Sequence, residues 1–78
     1  MRVTLVGLRV ALVSLTPRER QVFGFAVRGK LNKQIAVQLG TAERTVKAHR
    51  HCVMEKMRVK SLAALVSVAA RLGLLNDK

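Results

Sequence analysis

The chain has 78 residues, enough for one small domain, and a chain of that size buries only about 60% of the surface it exposes when unfolded, so its core must be thin. Half of the residues are apolar, yet there is no Trp, no Tyr and only Phe23 and Phe25, which leaves Leu, Val, Ile, Ala and Met to build that core and points to packed helices. Fifteen Lys and Arg against four acids give a formal charge of +11, which calls for a polyanionic partner, either nucleic acid or an anionic membrane surface, and says nothing of the fold.

The single cysteine, Cys52, has no partner for an internal disulfide, so no oxidising compartment is required and the cytoplasm is the default location. Residues 1–14, MRVTLVGLRVALVS, begin with a positive charge and run mostly apolar. Arg9 interrupts the run, no small-x-small cleavage site follows, and the run is well short of the roughly 20 residues that a membrane-spanning helix needs. Neither a cleaved leader nor a membrane anchor is expected. The segment reads as a linker or lead-in whose Leu5, Leu8, Leu12 and Leu15 recur at helical spacing and pack on the domain. The β-branched Val3, Val10 and Val13 leave its secondary structure open.

The domain proper spans residues 15–78. Thr16-Pro17-Arg18-Glu19 carries three start signals together: Thr16 as N-cap, Pro17 at the first helical position, and Glu19 placed to close a capping box. Val22, Phe23, Ala26 and Val27 form the buried stripe of this helix, Arg18, Gln21 and Arg28 point elsewhere, and Gly29 ends it in the left-handed conformation. Gly24 inside the helix costs up to about 1 kcal/mol relative to Ala and is expected to mark the close passage of a neighbouring helix.

From Asn32 to Met57 the chain has the outline of a helix-turn-helix. Asn32 is expected to cap a short helix that buries Ile35, Ala36 and Leu39 and leaves Lys33, Gln34 and Gln38 in water. Gly40 supplies the backbone freedom of the turn, and Ala36 permits a close helix crossing. A longer helix then runs over about 43–57, with Val46, His49 or Arg50, Val53 and Met57 on its buried seam. Arg44, Lys47, Ala48 and His51 lie opposite, with Thr45 at the edge, where a recognition helix reaches base edges. A run of charge is usually a solvated face of mixed sign. Between Arg28 and Lys60, however, Arg28, Lys30, Lys33, Arg44, Lys47, Arg50, Lys56, Arg58 and Lys60 meet only Glu43 and Glu55.

A last helix is expected from the N-cap Ser61 to near Leu72, stopped by Gly73. Leu62, Leu65, Val66, Ala69 and Leu72 pack inward. Ala63, Ser67 and Ala70 are small enough for a second copy to approach, and with Val66, counted in both sets, they form the candidate interface of a two-fold dimer.

Leu15-Thr16-Pro17-Arg18-Glu19, Gly29, Asn32-Lys33-Gln34-Ile35-Ala36, Leu39-Gly40, Thr45-Val46-Lys47 with His49, and Glu55-Lys56-Met57 together resemble the LuxR/FixJ-type helix-turn-helix domain, the DNA-binding end of many bacterial response regulators. The resemblance covers residue 15 to about 74. It implies an all-α, four-helix domain in which the second and third helices form the helix-turn-helix and the fourth contributes to a dimer. It also implies that Lys47, Ala48 and His51 face the major groove, that Lys33, Thr45 and Lys56 lie near phosphates or tie the helices together, and that Glu19 forms a structural ion pair with a basic residue such as Lys56. Two positions depart from the family: Ala42 stands where Ser or Thr is usual, so the recognition helix takes its cap from Thr41 or goes without, and Arg58 stands where glycine is frequent.

These readings converge on a sequence-specific DNA-binding transcriptional regulator that binds duplex DNA as a homodimer, with Lys33, Arg44, Thr45, Lys47, Ala48, Arg50, His51 and Lys56 as its DNA-binding residues and RNA polymerase as a further candidate partner. A promoter-binding domain like region four of a sigma factor shares the Thr-Val-Lys segment, but His49 and Glu55-Lys56-Met57 favour the LuxR/FixJ type. Two other classes remain alternatives: a cationic helical protein on membrane surfaces, which this chain nearly lacks the interfacial aromatic residues to be, and a protein-interaction module. No enzyme is expected, since the sequence has no phosphate-binding glycine loop and no convincing carboxylate pair or nucleophile set. No cofactor or metal is expected either, because His49 and Cys52, three apart on one helix, have no second pair of ligands.

Overall fold

The described residues, 4–75 of a computed structural model, form five helices with no strand among them: α1 (Leu5–Ser14), α2 (Pro17–Val27), α3 (Asn32–Leu39), α4 (Glu43–Lys56) and α5 (Leu62–Arg71). Val3, weighed above for its β-branching, lies outside them.

Local side-chain chemistry starts most of these helices. Thr16 Oγ1 accepts the Glu19 N–H at 3.1 Å while Glu19 Oε1 accepts the Thr16 N–H at 3.0 Å, closing the expected capping box ahead of Pro17. Ser61 Oγ accepts the Ala64 N–H at 3.1 Å at the start of α5. The lead-in segment is also a helix, capped by Thr4, whose Oγ1 accepts the Gly7 N–H at 3.0 Å.

The ends of α2, α3, α4 and α5 share one device. After α3 the Thr41 N–H donates to Ala36 O at 3.0 Å and the Gly40 N–H to Val37 O at 3.3 Å, with Gly40 left-handed at φ 64°. Gly29 and Gly73 close α2 and α5 in the same way. After α4 the same two bonds form, Val59 N–H to Met54 O and Arg58 N–H to Glu55 O, but the left-handed residue is Arg58 at φ 59°. A side chain with a Cβ therefore sits where the backbone favours glycine.

Packing joins the helices through two clusters of buried side chains. Val22 and Ala26 of α2, Ile35 and Ala36 of α3 and Val46 of α4 form the smaller one, which is the core of the helix-turn-helix. The larger one gathers Leu8 of α1, Leu15, Phe23 and Val27 of α2's side, Val53 and Met57 at the end of α4, and Leu65, Val68 and Ala69 of α5. The four helices expected of the domain are α2 to α5, and Leu8 adds α1, from the lead-in segment, to the larger cluster. Leu15 is buried and Leu12 packs against the cluster, whereas Leu5 stays exposed. The outward side of α1 carries exposed Val6, Val10 and Val13.

Two expectations about α2 and α5 are corrected. Among the described residues no neighbouring helix comes within 4 Å of where a Cβ at Gly24 would stand; the group there is the Arg28 side chain, whose Nη1 donates to Gly24 O at 2.9 Å and whose Nη2 donates to Leu74 O at 3.1 Å. The guanidinium lies across that turn of α2 and ties it to the turn after α5. On α5 the buried seam is Leu65, Val68 and Ala69, with Val66 and Leu72 half-buried against it, while Leu62 in the first turn is exposed.

Candidate nucleic-acid interface

α4 packs against both α2 and α3. Val46 and Val53 are its buried seam, and the helix stops at Met57, itself buried. A polar latch leaves each flank of that seam. Lys56 Nζ donates to Glu19 Oε1 of α2 at 2.8 Å and to Ser14 O at 3.3 Å. Arg50 Nη1 donates to Asn32 Oδ1 of α3 at 2.8 Å. At 3.6 residues per turn, positions six apart on a helix point roughly 120° from one another, so the two latches brace α4 from different sides.

The Glu19 latch is the more buried of the two. Glu19 is only 6% exposed and is the one buried charged residue among the described residues. Its hydrogen bond from Lys56, and then that from the Thr16 N–H, hold its carboxyl below the usual carboxylate range against the opposing effect of burial. The expected ion pair between Glu19 and Lys56 is therefore present.

With its seam against α2 and α3, α4 turns Arg44, Lys47, Ala48 and His51 to solvent, and Thr45 is half-buried beside them. The side chains of Arg44 and Lys47 form no hydrogen bond or ion pair among the described residues. His51 Nε2 stands 3.5 Å from Glu55 Oε2 one turn on, a pair exposed enough to be screened by water. α4 starts at Ala42 with no side-chain cap, so of the two ways open to that start it takes the second. Lys33 is exposed in the first turn of α3.

Asn32 and two of the expected DNA-binding residues, Arg50 and Lys56, take partners that their spacing did not disclose. Asn32 does not cap α3: the N-cap position is Leu31, whose N–H is taken by Gln34 Oε1 at 2.8 Å, and the Asn32 side chain turns instead to Arg50. Arg50, one of the two residues that the spacing offered for the seam, is half-buried beside it, and its guanidinium reaches across to α3. The Lys56 ammonium is engaged by Glu19 and Ser14, which makes it a tie between helices and removes it from the free cations of the basic surface. Asn32 and Arg50 are 18 residues apart, and no period within one helix links them. On α5, Ala63, Ser67 and Ala70 are exposed, and Val66 is half-buried against the core. Among the described residues no helix is long and apolar enough to cross a membrane.

The family model described as bacterial regulatory proteins of the luxR family matches residues 13–69. The response regulator protein TodT of Pseudomonas putida is 54% identical over 59 residues, which are 76% of this chain and 26% of TodT. The transcriptional regulatory protein FixJ of Bradyrhizobium diazoefficiens is 46% identical over 72 residues, 92% of this chain and 34% of FixJ. The chain thus spans between a quarter and about a third of these relatives. Among solved structures, full-length FixJ from B. japonicum superposes with a TM-score of 0.84 at 40% identity, covering 92% of this chain and 36% of that one. The response regulator StyR does so with a TM-score of 0.80 at 52% identity, covering 82% and 32%.

Proposed function

Since the chain belongs to the luxR family of bacterial regulatory proteins, we propose that it is a sequence-specific DNA-binding regulator of transcription, acting in the cytoplasm, that lays α4 in the major groove of duplex DNA. The observation that carries this reading is the outward face of α4. Arg44 and Lys47 stand there without an internal partner, next to the small Ala48, on a helix braced from both flanks. A cation with no protein partner keeps its full charge for phosphates and its donors for base edges. Lys33, Thr45 and Arg50 take the phosphate side of the contact and fix the register, and Arg44, Lys47, Ala48 and His51 meet the bases. Lys56, spent on Glu19, contributes through the position of α4.

In this reading α5 pairs with its copy through Ala63, Val66, Ser67 and Ala70, and the dimer binds inverted half-sites about one turn of DNA apart. RNA polymerase is the further partner that a regulator of transcription works beside. TodT and StyR are response regulators and FixJ is a transcriptional regulatory protein, and this chain corresponds to one part of each.

Selection of bound duplexes from a random library, followed by footprinting of the enriched sequence, tests the proposal. Enrichment of one sequence class and its protection over competitor DNA support it. Equal recovery of all duplexes, or stronger partition into anionic vesicles than onto duplex DNA, overturns it.

A further inference from the structure

The Asn32–Arg50 contact is unusual chemistry for the first turn of a helix. Asn at a helix start normally serves its own backbone, because its short side chain competes for nearby N–H groups. Here Gln34 Oε1 serves the Leu31 N–H, and Asn32 Oδ1 is given over to a guanidinium 18 residues away. The Arg50 side chain makes no other hydrogen bond among the described residues, so only its Nη1 is engaged. The Nε and Nη2 groups, which lie on one edge of the planar guanidinium and can grip a phosphate with two parallel bonds, keep their donors. Lys33, the next residue after Asn32, is exposed and carries a charge of the same sign. An acceptor is needed to hold Arg50 at this flank, and the acceptor present is neutral.

The neutrality matters. A carboxylate at position 32 would hold the guanidinium at least as firmly, yet it would cancel the charge that attracts DNA. An amide carbonyl orients the group and leaves its charge available.

We propose that Asn32 is a positioning residue for duplex binding: its side-chain carbonyl holds Arg50 at Nη1, so that the Nε–Nη2 edge meets a DNA phosphate with its charge intact. This rests on the DNA-binding reading above and adds to it a residue that touches no base. It also gives α3 and α4 a shared part in the phosphate contact, since the residue that aims the guanidinium belongs to one helix and the guanidinium to the other.

The test uses the whole chain and a fluorescein-labelled duplex of mixed sequence, titrated by anisotropy over a series of KCl concentrations, because phosphate contacts do not depend on sequence. Arg50→Ala is expected to lower the slope of log K against log salt by about 1 and to weaken binding by about tenfold at moderate salt. Asn32→Ala removes no charge, yet it is expected to lower the slope by a similar amount, and the double variant to add little to either. Asn32→Asp, which favours the start of α3 through the helix dipole and so keeps the fold, is expected to weaken binding more than Asn32→Ala while its melting temperature holds or rises. A merely structural role for Asn32 would move the melting temperature and leave the salt slope at the wild-type value. That result, or wild-type binding by Asn32→Asp, overturns the proposal. Absence of salt-dependent duplex binding by the unaltered chain overturns the DNA-binding reading itself and the inference with it.

Discussion

Lys56 Nζ lies 2.8 Å from Glu19 Oε1, and the same carboxylate oxygen accepts the Thr16 N–H at 3.0 Å, so one buried oxygen both starts α2 and holds the C-terminal end of α4. The ammonium is the more exposed partner, with 36% of its side chain accessible against 7% for Glu19. Removing it strands a buried carboxylate, and Lys56→Ala is expected to cost about 2 kcal/mol in thermal or urea unfolding, against a few tenths for an ordinary surface lysine. Because the folded carboxyl is held below its unfolded value, the stabilisation is fully present above the ordinary glutamate range and is lost as the pH falls from there toward the lowered folded value. Melting temperatures followed from neutral pH into the acid range check the sign. Glu19→Gln keeps an acceptor for Thr16 but does not titrate, and is expected to flatten that part of the profile.

The two ends of α4 should respond to substitution in the stabilising direction. Arg58 occupies a left-handed position at φ 59°, and Arg58→Gly is expected to raise stability by about 1 kcal/mol, which moves the melting temperature of so small a domain upward by roughly 4–8 °C. The same change removes a cation from the basic surface, so duplex affinity is expected to fall while stability rises. Ala42→Ser supplies the missing side-chain cap and is expected to add about 1 kcal/mol with no change of charge. Calorimetry and duplex titration on both variants separate strain relief from charge loss.

Lys33 and Lys47 are both exposed cations, but they stand on different helices. Lys33→Ala is expected to weaken binding evenly across duplex sequences and to lower the salt slope by about 1. Lys47→Ala is expected to change which sequences are selected from a random library as well as the affinity. An unaltered preference after Lys47→Ala would assign that residue to the backbone.

The small exposed residues of α5 offer a direct test of dimerisation. Ala70→Glu places bulk and charge on the face where a second copy would approach, without touching the buried Leu65, Val68 and Ala69. Sedimentation on a palindromic duplex is expected to show two chains per duplex for the unaltered protein and one for the variant, with half-site binding retained. One chain per palindrome for the unaltered protein would defeat the dimer.

Most of the fold was legible in the residues because it rests on contacts within one turn of chain. Thr16 with Glu19, Ser61 with Ala64, and Gly29, Gly40 and Gly73 at the helix ends act over three to five residues, so their spacing alone carries the signal. The stripe of Val22, Phe23, Ala26 and Val27 and the outward set Arg44, Lys47, Ala48 and His51 follow from helical period in the same way. The likeness to the LuxR/FixJ type also anticipated the pairing of Glu19 with Lys56, which no local spacing contains.

What spacing could not supply is the choice among equally local options when a distant partner enters. Asn32 had the chemistry of a cap, and the guanidinium of Arg50 drew it away; Gly24 suggested a crossing helix, and Arg28 lies there instead. Leu8 and Leu5 share one helical stripe, yet only Leu8 is covered. The residues determine where each helix begins and ends and which side of it is basic, because those are properties of neighbouring backbone and side chains. How α4 is braced, with Lys56 committed to α2 and Arg50 to α3, was decided by packing, which brings together groups 37 and 18 residues apart and sets an acceptor of each neighbouring helix beside a cation of α4.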